Sequence, residues 1–526
     1  MSLDEKIGQL IMPAIVASSP TGKALQEIEA NIQDYHVGSY HFLLDAKTLH
    51  NKADITSLIE RMQEQSKLPL LLASDFEGGV GFYFKDATRF PRAMAIAATN
   101  NLSYSRAIGK AVARECKQMG IHINFYPTAD VNNNPQNPII NIRSFGQNAD
   151  SVGDMALAYM QGFQEEGLIA TAKHFPGHGN VNCDSHLSLP VIDLSLVDLQ
   201  KIELQPFRKL IDNGLRAVMS AHIVLPQIED NNLPATLSHK LLTEILRKQL
   251  NFNGLIFTDA MMMNSISKNH PNGQASVLAL KAGADIILFP PSVKETFEAL
   301  KEAVKNGDLS EERINKSVER ILKEKARLNL FISTFPTVQK ASEEKHNFAL
   351  ADLVMEHAIT LYKNENNFLP LKLKPNNKVL LINILDKADG WREGKPGQTL
   401  EKEIAFRHPS VKAFELTGES TDKEFENATK LTQISDTIII ATHVQVSAFK
   451  GSISLSEKEV NYINSLSKRH KQIVFILFGN PYLLTSFPFL HNSISTYECY
   501  PGAEKASTKA LFGEMNFVGK LPVEIK

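Results

Sequence analysis

The sequence predicts an α/β protein: an N-terminal (β/α)8 TIM-like barrel over residues 1–330, a linker over 331–347, and a smaller α/β doubly wound sandwich domain over 348–526. Three observations lead there. Short apolar runs alternate with amphipathic helical stretches from the N-terminus to about Leu330, the pattern of repeated β-α units around a parallel sheet. Eight such runs fall within some 330 residues, which suits a barrel better than an open sheet, whose strand count is usually lower. Several runs also end in polar residues, namely Asp75, Asp130, Lys173-His174, His222 and Asp259. A barrel would gather these at the C-terminal mouth where active sites are built.

The expected barrel strands are Gly8–Ile15, Val37–Leu44, Leu68–Asp75, His122–Val131, Ile169–Phe175, Ala217–Ile223, Gly254–Asp259 and Ala284–Phe289. Between them, the helical stretch Tyr104–Met119 closes on Gly120, and His239–Leu250 starts directly after Ser238, a good N-cap residue. A long charged helix, Leu309–Leu330, ends the first domain. Phe331–Asn347 mixes Ser, Thr, Pro, Gln and Lys without periodicity and reads as a linker. Five further strands follow: Val379–Leu385, Ala413–Gly418, Thr437–Val444, Ile473–Asn480 and Ile494–Cys499. Helical stretches such as Ser456–Arg469 separate them, giving a small doubly wound sheet. It contains no GxGxxG or GxxxxGK[ST], so a nucleotide site has little support.

Composition narrows the function. Of the 526 residues, 43% are hydrophobic and 22% charged, which excludes disorder and collagen and describes a globular chain. The 56 Lys and Arg against 58 Asp and Glu leave a net charge of −2, so no bulk attraction to nucleic acid or anionic membrane is built in. Cys116, Cys183 and Cys499 are odd in number, far apart and outside any CxxC spacing, so neither a disulfide framework nor a zinc ribbon is expected. No apolar run reaches the length of a spanning helix. Met1-Ser2-Leu3 leads straight into a charged helix start. The expected compartment is cytoplasmic if that N-terminus is native, and exported if a signal segment has been removed. Oligomeric state is left open.

The most informative segment runs from Lys173 to His186 (KHFPGHGNVNCDSH), just beyond a predicted strand end. His174 and His178 stand at the i, i+4 spacing of a helical metal pair, but Pro176-Gly177 between them interrupts a helix, and no metal is expected. Lys173 and His174, fixed at a strand end, suit hydrogen bonding to hydroxyl oxygens. Asp184, two residues before His186, is placed to orient that imidazole and favour its protonated form, a general acid/base dyad. A second signal is Phe257-Thr258-Asp259-Ala260-Met261, in which a rigid, anionic carboxylate ends a strand and is suited to nucleophilic attack on an electrophilic carbon.

Together with Asp75-Phe76-Glu77-Gly78-Gly79, Asp130-Val131-Asn132-Asn133-Asn134-Pro135 and Arg143-Ser144-Phe145-Gly146, these segments resemble the family 3 glycoside hydrolases, specifically their β-N-acetylglucosaminidase branch. The K-H-F-P-G-H-G…D-S-H string belongs to that branch. The resemblance runs from Glu5-Lys6-Ile7-Gly8-Gln9-Leu10 to Gly519-Lys520-Leu521-Pro522-Val523. It implies a retaining β-N-acetylhexosaminidase that removes terminal β-linked N-acetylglucosamine from peptidoglycan fragments or chito-oligosaccharides. Asp259 would be the nucleophile, His186 the acid/base and Asp184 its partner, while Asp75, Arg143, Lys173 and His174 grip sugar hydroxyls. No metal or organic cofactor is implied, and the partner is a carbohydrate substrate. Retaining enzymes usually pair two carboxylates about 5–5.5 Å apart; a dyad histidine in place of one need not keep that spacing.

The chain departs from the family at Val80 and Tyr83, where arginines are frequent, so one sugar contact is missing or supplied elsewhere, with Arg89 as a candidate. An arginine restored at position 83 is expected to lower KM if its guanidinium reaches the sugar. The alternatives are a β-glucosidase or β-xylosidase of the same family, which lack the D-S-H triplet, and a catalytically silent sugar-binding protein.

Overall fold

The computed structural model describes residues 1–45, 48–185, 188–270, 272–332, 341–446, 450, 453–470 and 472–525. The chain forms two compact units: residues 1–90, 102–140 and 148–347, and residues 91–101, 141–147 and 348–526.

The strands of the first unit are β1 (Ile11–Met12), β2 (Ala14–Ile15), β3 (Ser39–Phe42), β4 (Leu71–Ser74), β5 (Ile123–Asn124), β6 (Ile169–Phe175), β7 (Ala217–Ser220), β8 (Leu255–Phe257) and β9 (Ile287–Leu288). β2 through β8 pair in sequence order as a parallel sheet of seven strands. β1, separated from β2 only by Pro13, pairs in parallel with β9, and Ile286 bridges back to Phe257 of β8. The ladder thus closes on itself, and the eight expected strand positions are all occupied by strands.

Seven of the eight expected strands are shorter than the sequence suggests, only Ile169–Phe175 keeping its full length, and for two of them the cause is plain. The first begins at Ile11, because Ser2 and Glu5 form a reciprocal cap that starts a helix over Leu3–Gln9. Gly8 is packed inside that helix, where a Cβ would overlap the His36 carbonyl oxygen. The run His122–Val131 holds only the two-residue β5, because Pro127 has no N–H to give a ladder. Beyond β5 the chain stays bonded to β6 without a regular ladder: the Thr171 N–H donates to Tyr126 O, the Lys173 N–H to Pro127 O and the Ala129 N–H to Lys173 O, around a Thr128–Lys173 bridge. This irregular but hydrogen-bonded run carries Asp130 to the strand ends.

The charged helix lies over Glu311–Arg327 and serves the N-terminal end of the barrel. Its Ser317 and Arg320 bond to the fully buried Asp285, at 2.6 and 3.0 Å. Arg247 pairs with the same carboxylate. One turn on, the fully buried Lys325 donates to Gln9 Oε1 at 2.6 Å and to the Gly38 carbonyl at 2.9 Å. These oxygens are neutral, so burial lowers the Lys325 ammonium to about 7.

The second unit is a six-stranded sheet formed by β10 (Thr360–Asn364), β11 (Val379–Leu385), β12 (Val411–Thr417), β13 (Thr437–Val444), β14 (Ile473–Gly479) and β15 (Asn492–Ser495). The spatial order is β10-β15-β14-β13-β11-β12, parallel except for β10 against β15. The five expected strands are present. The sixth, β10, is an antiparallel edge whose burial is confined to its first residue and whose sequence lacks the continuous apolar run of its neighbours.

The sequence division is corrected in two places. Residues 341–347, expected to be linker, open a helix over Ala341–Ala358, while 333–340 lie outside the described residues. Residues 91–101 and 141–147, expected in the barrel, pack with the second unit instead. Met94, Ala95, Ala98 and Ile142 share its core with Ile359, Ile439 and Tyr497. No described helix is long and apolar enough to cross a membrane.

Lys325 makes a stability prediction. The unfolded side chain still holds its proton between about pH 7 and 10 while the folded one has lost it, so the wild type gains stability as pH rises through that window. Relative to Lys325→Met, the wild type should gain up to about 1.4 kcal/mol per pH unit there. Below about pH 7 the difference should be flat. Urea melts of both proteins at pH 6, 7, 8 and 9 measure it, and a pH-independent difference would exclude a neutral amine in the fold.

Candidate active site

The polar strand ends of the first unit meet in two linked clusters. The first is built on a buried cation. Lys173, on the fully buried β6, places Nζ 2.7 Å from Asp75 Oδ1 and 2.8 Å from Glu77 Oε1. The other oxygen of Asp75 lies 2.9 Å from His41 Nε2. Burial pushes the Asp75 carboxyl upward, but Lys173 and His41 outweigh it and hold the acid well below the usual carboxylate range. Asp75 is therefore an anion throughout the physiological range. Lys173 lacks a single matched counter-ion and shares two, which makes its burial tolerable.

The second cluster centres on Asp130, which is fully buried. Its Oδ2 is 2.7 Å from His174 Nδ1, while Oδ1 accepts the backbone N–H groups of His174 (3.0 Å) and His178 (2.7 Å). Burial raises its pKa, and His174 reverses the shift to a net lowering. The run after Asp130 fastens the following loop. Asn137 donates to the carbonyls of His178 and Gly179 at 2.8 and 2.9 Å. Asn134 donates to Val181 O at 3.0 Å, and Asn133 to the buried Glu203 at 2.9 Å. Gly179 lies so close to Val131 that a Cβ would overlap the carbonyl oxygen there, so no other residue fits. His178 is buried with Nε2 2.9 Å from Ser185 Oγ. Burial and then the neighbouring His174 lower its ring to about 4, against the opposing pull of Asp130 and Asp259, and it is neutral at pH 7.

Asp259 stands two residues beyond β8 and is half-buried, its Oδ1 accepting the N–H of Ala260 at 2.7 Å. Its charge reaches His178. The preceding Thr258 Oγ1 accepts the Leu288 N–H at 2.9 Å, tying this strand end to β9. His222 supports the other side, with Nε2 3.1 Å from Ala260 O and Nδ1 2.9 Å from Thr236 Oγ1.

Of the residues singled out from sequence, Asp75, Lys173, His174 and Asp259 thus fall in one connected neighbourhood. Asp184 is buried beside Ser185, and its carbonyl accepts the Ser188 N–H at 3.1 Å. His186 lies outside the described residues. Arg143 ends the short turn Asn141–Arg143 and is part of the second unit. Sequence reasoning gave no site role to His41 or Glu77, placed Asp130 only among the polar strand ends, and considered His178 only as a metal ligand. Glu77, Asp130 and His178 sit inside motifs already quoted; His41 carries no local signal, because its relevance comes only from pairing β3 with β4. Among the described residues no group of three or more His, Cys, Asp or Glu is arranged to hold a metal ion.

Residues 2–323 match the glycosyl hydrolase family 3 N terminal domain, and residues 359–526 the family's C-terminal domain. The chain belongs to glycosyl hydrolase family 3. It is 29% identical to a beta-N-acetylglucosaminidase/beta-glucosidase of Cellulomonas fimi, over 100% of this chain and 94% of that one. Among solved structures it is similar to a family 3 beta-N-acetylglucosaminidase from Paenibacillus sp. str. FPU-7, with a TM-score of 0.87 and 29% identity over 100% and 99% of the two chains. It is also similar to a beta-glucoside phosphorylase, with a TM-score of 0.88 and 27% identity over 100% and 94%.

The two departures from the family pattern have a structural consequence. Val80 is fully buried, and Tyr83, 5% exposed, packs edge-on against Phe76 and Phe82. Arg89 sits with its guanidinium 5.1 Å from the Phe82 ring centre and donates to the Gly78 carbonyl at 3.3 Å, bracing the Glu77-Gly78-Gly79 turn. The expectation that an arginine at position 83 would tighten sugar binding is therefore revised. Tyr83→Arg places a charge inside an aromatic cluster and should destabilise the fold by about 2–4 kcal/mol, read as a lowered urea midpoint with no gain in KM.

Proposed function

We propose that this family 3 protein is a retaining β-N-acetylhexosaminidase that removes terminal β-linked N-acetylglucosamine from peptidoglycan fragments or chito-oligosaccharides. The observation that carries the reading is the half-buried Asp259 carboxylate at the end of β8, in one neighbourhood with the Asp75–Lys173 pair and with His174. The relatives described as β-N-acetylglucosaminidases support the sugar.

In this reading, Asp75 accepts a hydrogen bond from a sugar hydroxyl and Lys173 donates one. His174, whose Nδ1 is held by Asp130, meets the sugar through Nε2. Arg143 is assigned to a further hydroxyl. Asp259 attacks the anomeric carbon as the glycosidic bond breaks and His186 gives its proton to the leaving oxygen. Asp184 favours the protonated imidazole. His186 then takes a proton from water, which attacks the glycosyl-aspartate and frees both Asp259 and a β-anomeric product. The acetamido group is bound but does not attack.

A second acceptor is supported by the likeness to a β-glucoside phosphorylase and by a histidine in place of the usual acid carboxylate. An imidazole does not repel an anion, so inorganic phosphate could replace water in the second half, giving a glycosyl phosphate and regenerated Asp259.

Asp259→Ala should abolish turnover with the melting temperature retained, and a 2-fluoro or 5-fluoro glycosyl substrate should label Asp259; a label elsewhere, or α-anomer as first product, overturns the assignment. Nitrophenyl N-acetylglucosaminide should exceed glucoside and xyloside in kcat/KM by about tenfold to a hundredfold. A best rate on either of the other two would sink the sugar assignment. Running the same assay with and without phosphate, and analysing the product, distinguishes the two acceptors.

A further inference from the structure

We propose that His178 is a positioning residue for the acid/base step: its ring tethers Ser185, the neighbour of Asp184, to the buried Asp130 anchor. This rests on the reading above, in which His186 and Asp184 form the proton-transferring dyad.

The argument begins with how firmly His178 is held. Its N–H is bonded to Asp130 at 2.7 Å, and its carbonyl accepts from Asn137 at 2.8 Å. On either side, His174 is fixed by the same carboxylate and Gly179 is pressed against Val131. The backbone of this segment is thereby part of the barrel rather than of a free loop. From that fixed base the side chain reaches seven residues forward, Nε2 to Ser185 Oγ at 2.9 Å. Ser185 is itself buried and lies between the two residues assigned to proton transfer.

The ring chemistry suits a tether rather than a proton donor. His178 is 2% exposed and T-packed on His174 with ring centres 5.6 Å apart. Its Nδ1 is buried without a hydrogen-bond partner among the described residues, so one contact, to Ser185, defines its polar role. A neutral imidazole can make that contact without adding a second titrating group between Asp130 and Asp259. Since an error of about 1 Å in a reacting group costs on the order of a hundredfold, a short bond one residue from the acid/base is well placed to control rate without touching substrate.

The test uses the full chain and two substrates. 2,4-Dinitrophenyl β-N-acetylglucosaminide loses its leaving group without protonation, whereas diacetylchitobiose needs it. Ser185→Ala should lower kcat/KM on diacetylchitobiose by about tenfold to a hundredfold, and on the dinitrophenyl substrate by less than about threefold. Its kcat on the latter should fall and be restored by azide, a nucleophile that needs no base. His178→Leu should behave like Ser185→Ala, His178→Gln should recover most of the loss, and Ser185→Ala/His178→Leu should be no worse than either alone. Equal losses on both substrates, additive losses, or no loss in Ser185→Ala would overturn the tether. If His178→Leu does not fold, Ser185→Ala, which removes one buried oxygen, decides the matter. If the wild type turns over neither substrate, the functional reading falls first and the tether with it; losses that ignore the leaving group end the tether alone.

Discussion

A carboxylate that is fully buried must collect its own solvation from the protein, and the Asp130 side chain does so where its own run meets the 174–178 stretch. It accepts two backbone N–H groups from the 174–178 stretch and faces the His174 ring. Removing any of these partners would strand a charge in a low-dielectric interior, so the bonds are mutually enforcing. The consequence reaches beyond the aspartate. It orders the loop that leads to Asp184, orients the His174 imidazole, and leaves His178 facing Ser185 from a fixed backbone.

The neighbouring cluster follows the same rule with the sign inverted. Lys173 is a buried cation with two carboxylates, Asp75 and Glu77, at hydrogen-bond distance. Lys173 and His41 keep Asp75 ionised, so a hydroxyl-bearing ligand meets a fixed donor and a fixed acceptor that need no rearrangement. The two clusters are joined covalently, because Lys173 and His174 are consecutive on β6. Regular strand geometry would send consecutive side chains to opposite faces, but the pairing of β6 with β7 shifts register between Ala172 and Phe175. The irregularity lies where the strand stops being scaffold and begins to carry chemistry.

Legibility in the sequence followed interaction range. The barrel strands could be located because their burial on both sides leaves nearly continuous apolar runs, and Gly120 and Ser238 marked helix ends through local backbone chemistry. Strand lengths were less legible. Pro13 and Pro127 interrupt hydrogen bonding in ways that an apolar pattern does not register, and β10 was missed because an edge strand needs only part of its surface buried. The second unit's recruitment of residues 91–101 and 141–147 had no local signature at all. Those residues fall within the span assigned to the barrel, and only the apolar core containing Met94 and Ile142 shows their allegiance.

By itself the sequence determined the α/β class, the family pattern, and the chemical identity of Asp75, Lys173, His174, Asp184 and Asp259 as candidate groups, because motif spacing and strand-end position are local properties. It could not determine which charges are paired. That Lys173 answers to Glu77 as well as Asp75, that His41 completes Asp75, that Asp130 anchors rather than caps, and that Tyr83 is walled in by aromatic rings were decided by tertiary structure. The physical reason is that solvation of a buried charge depends on neighbours distant in sequence, and those neighbours are brought together only when the ring of parallel strands closes.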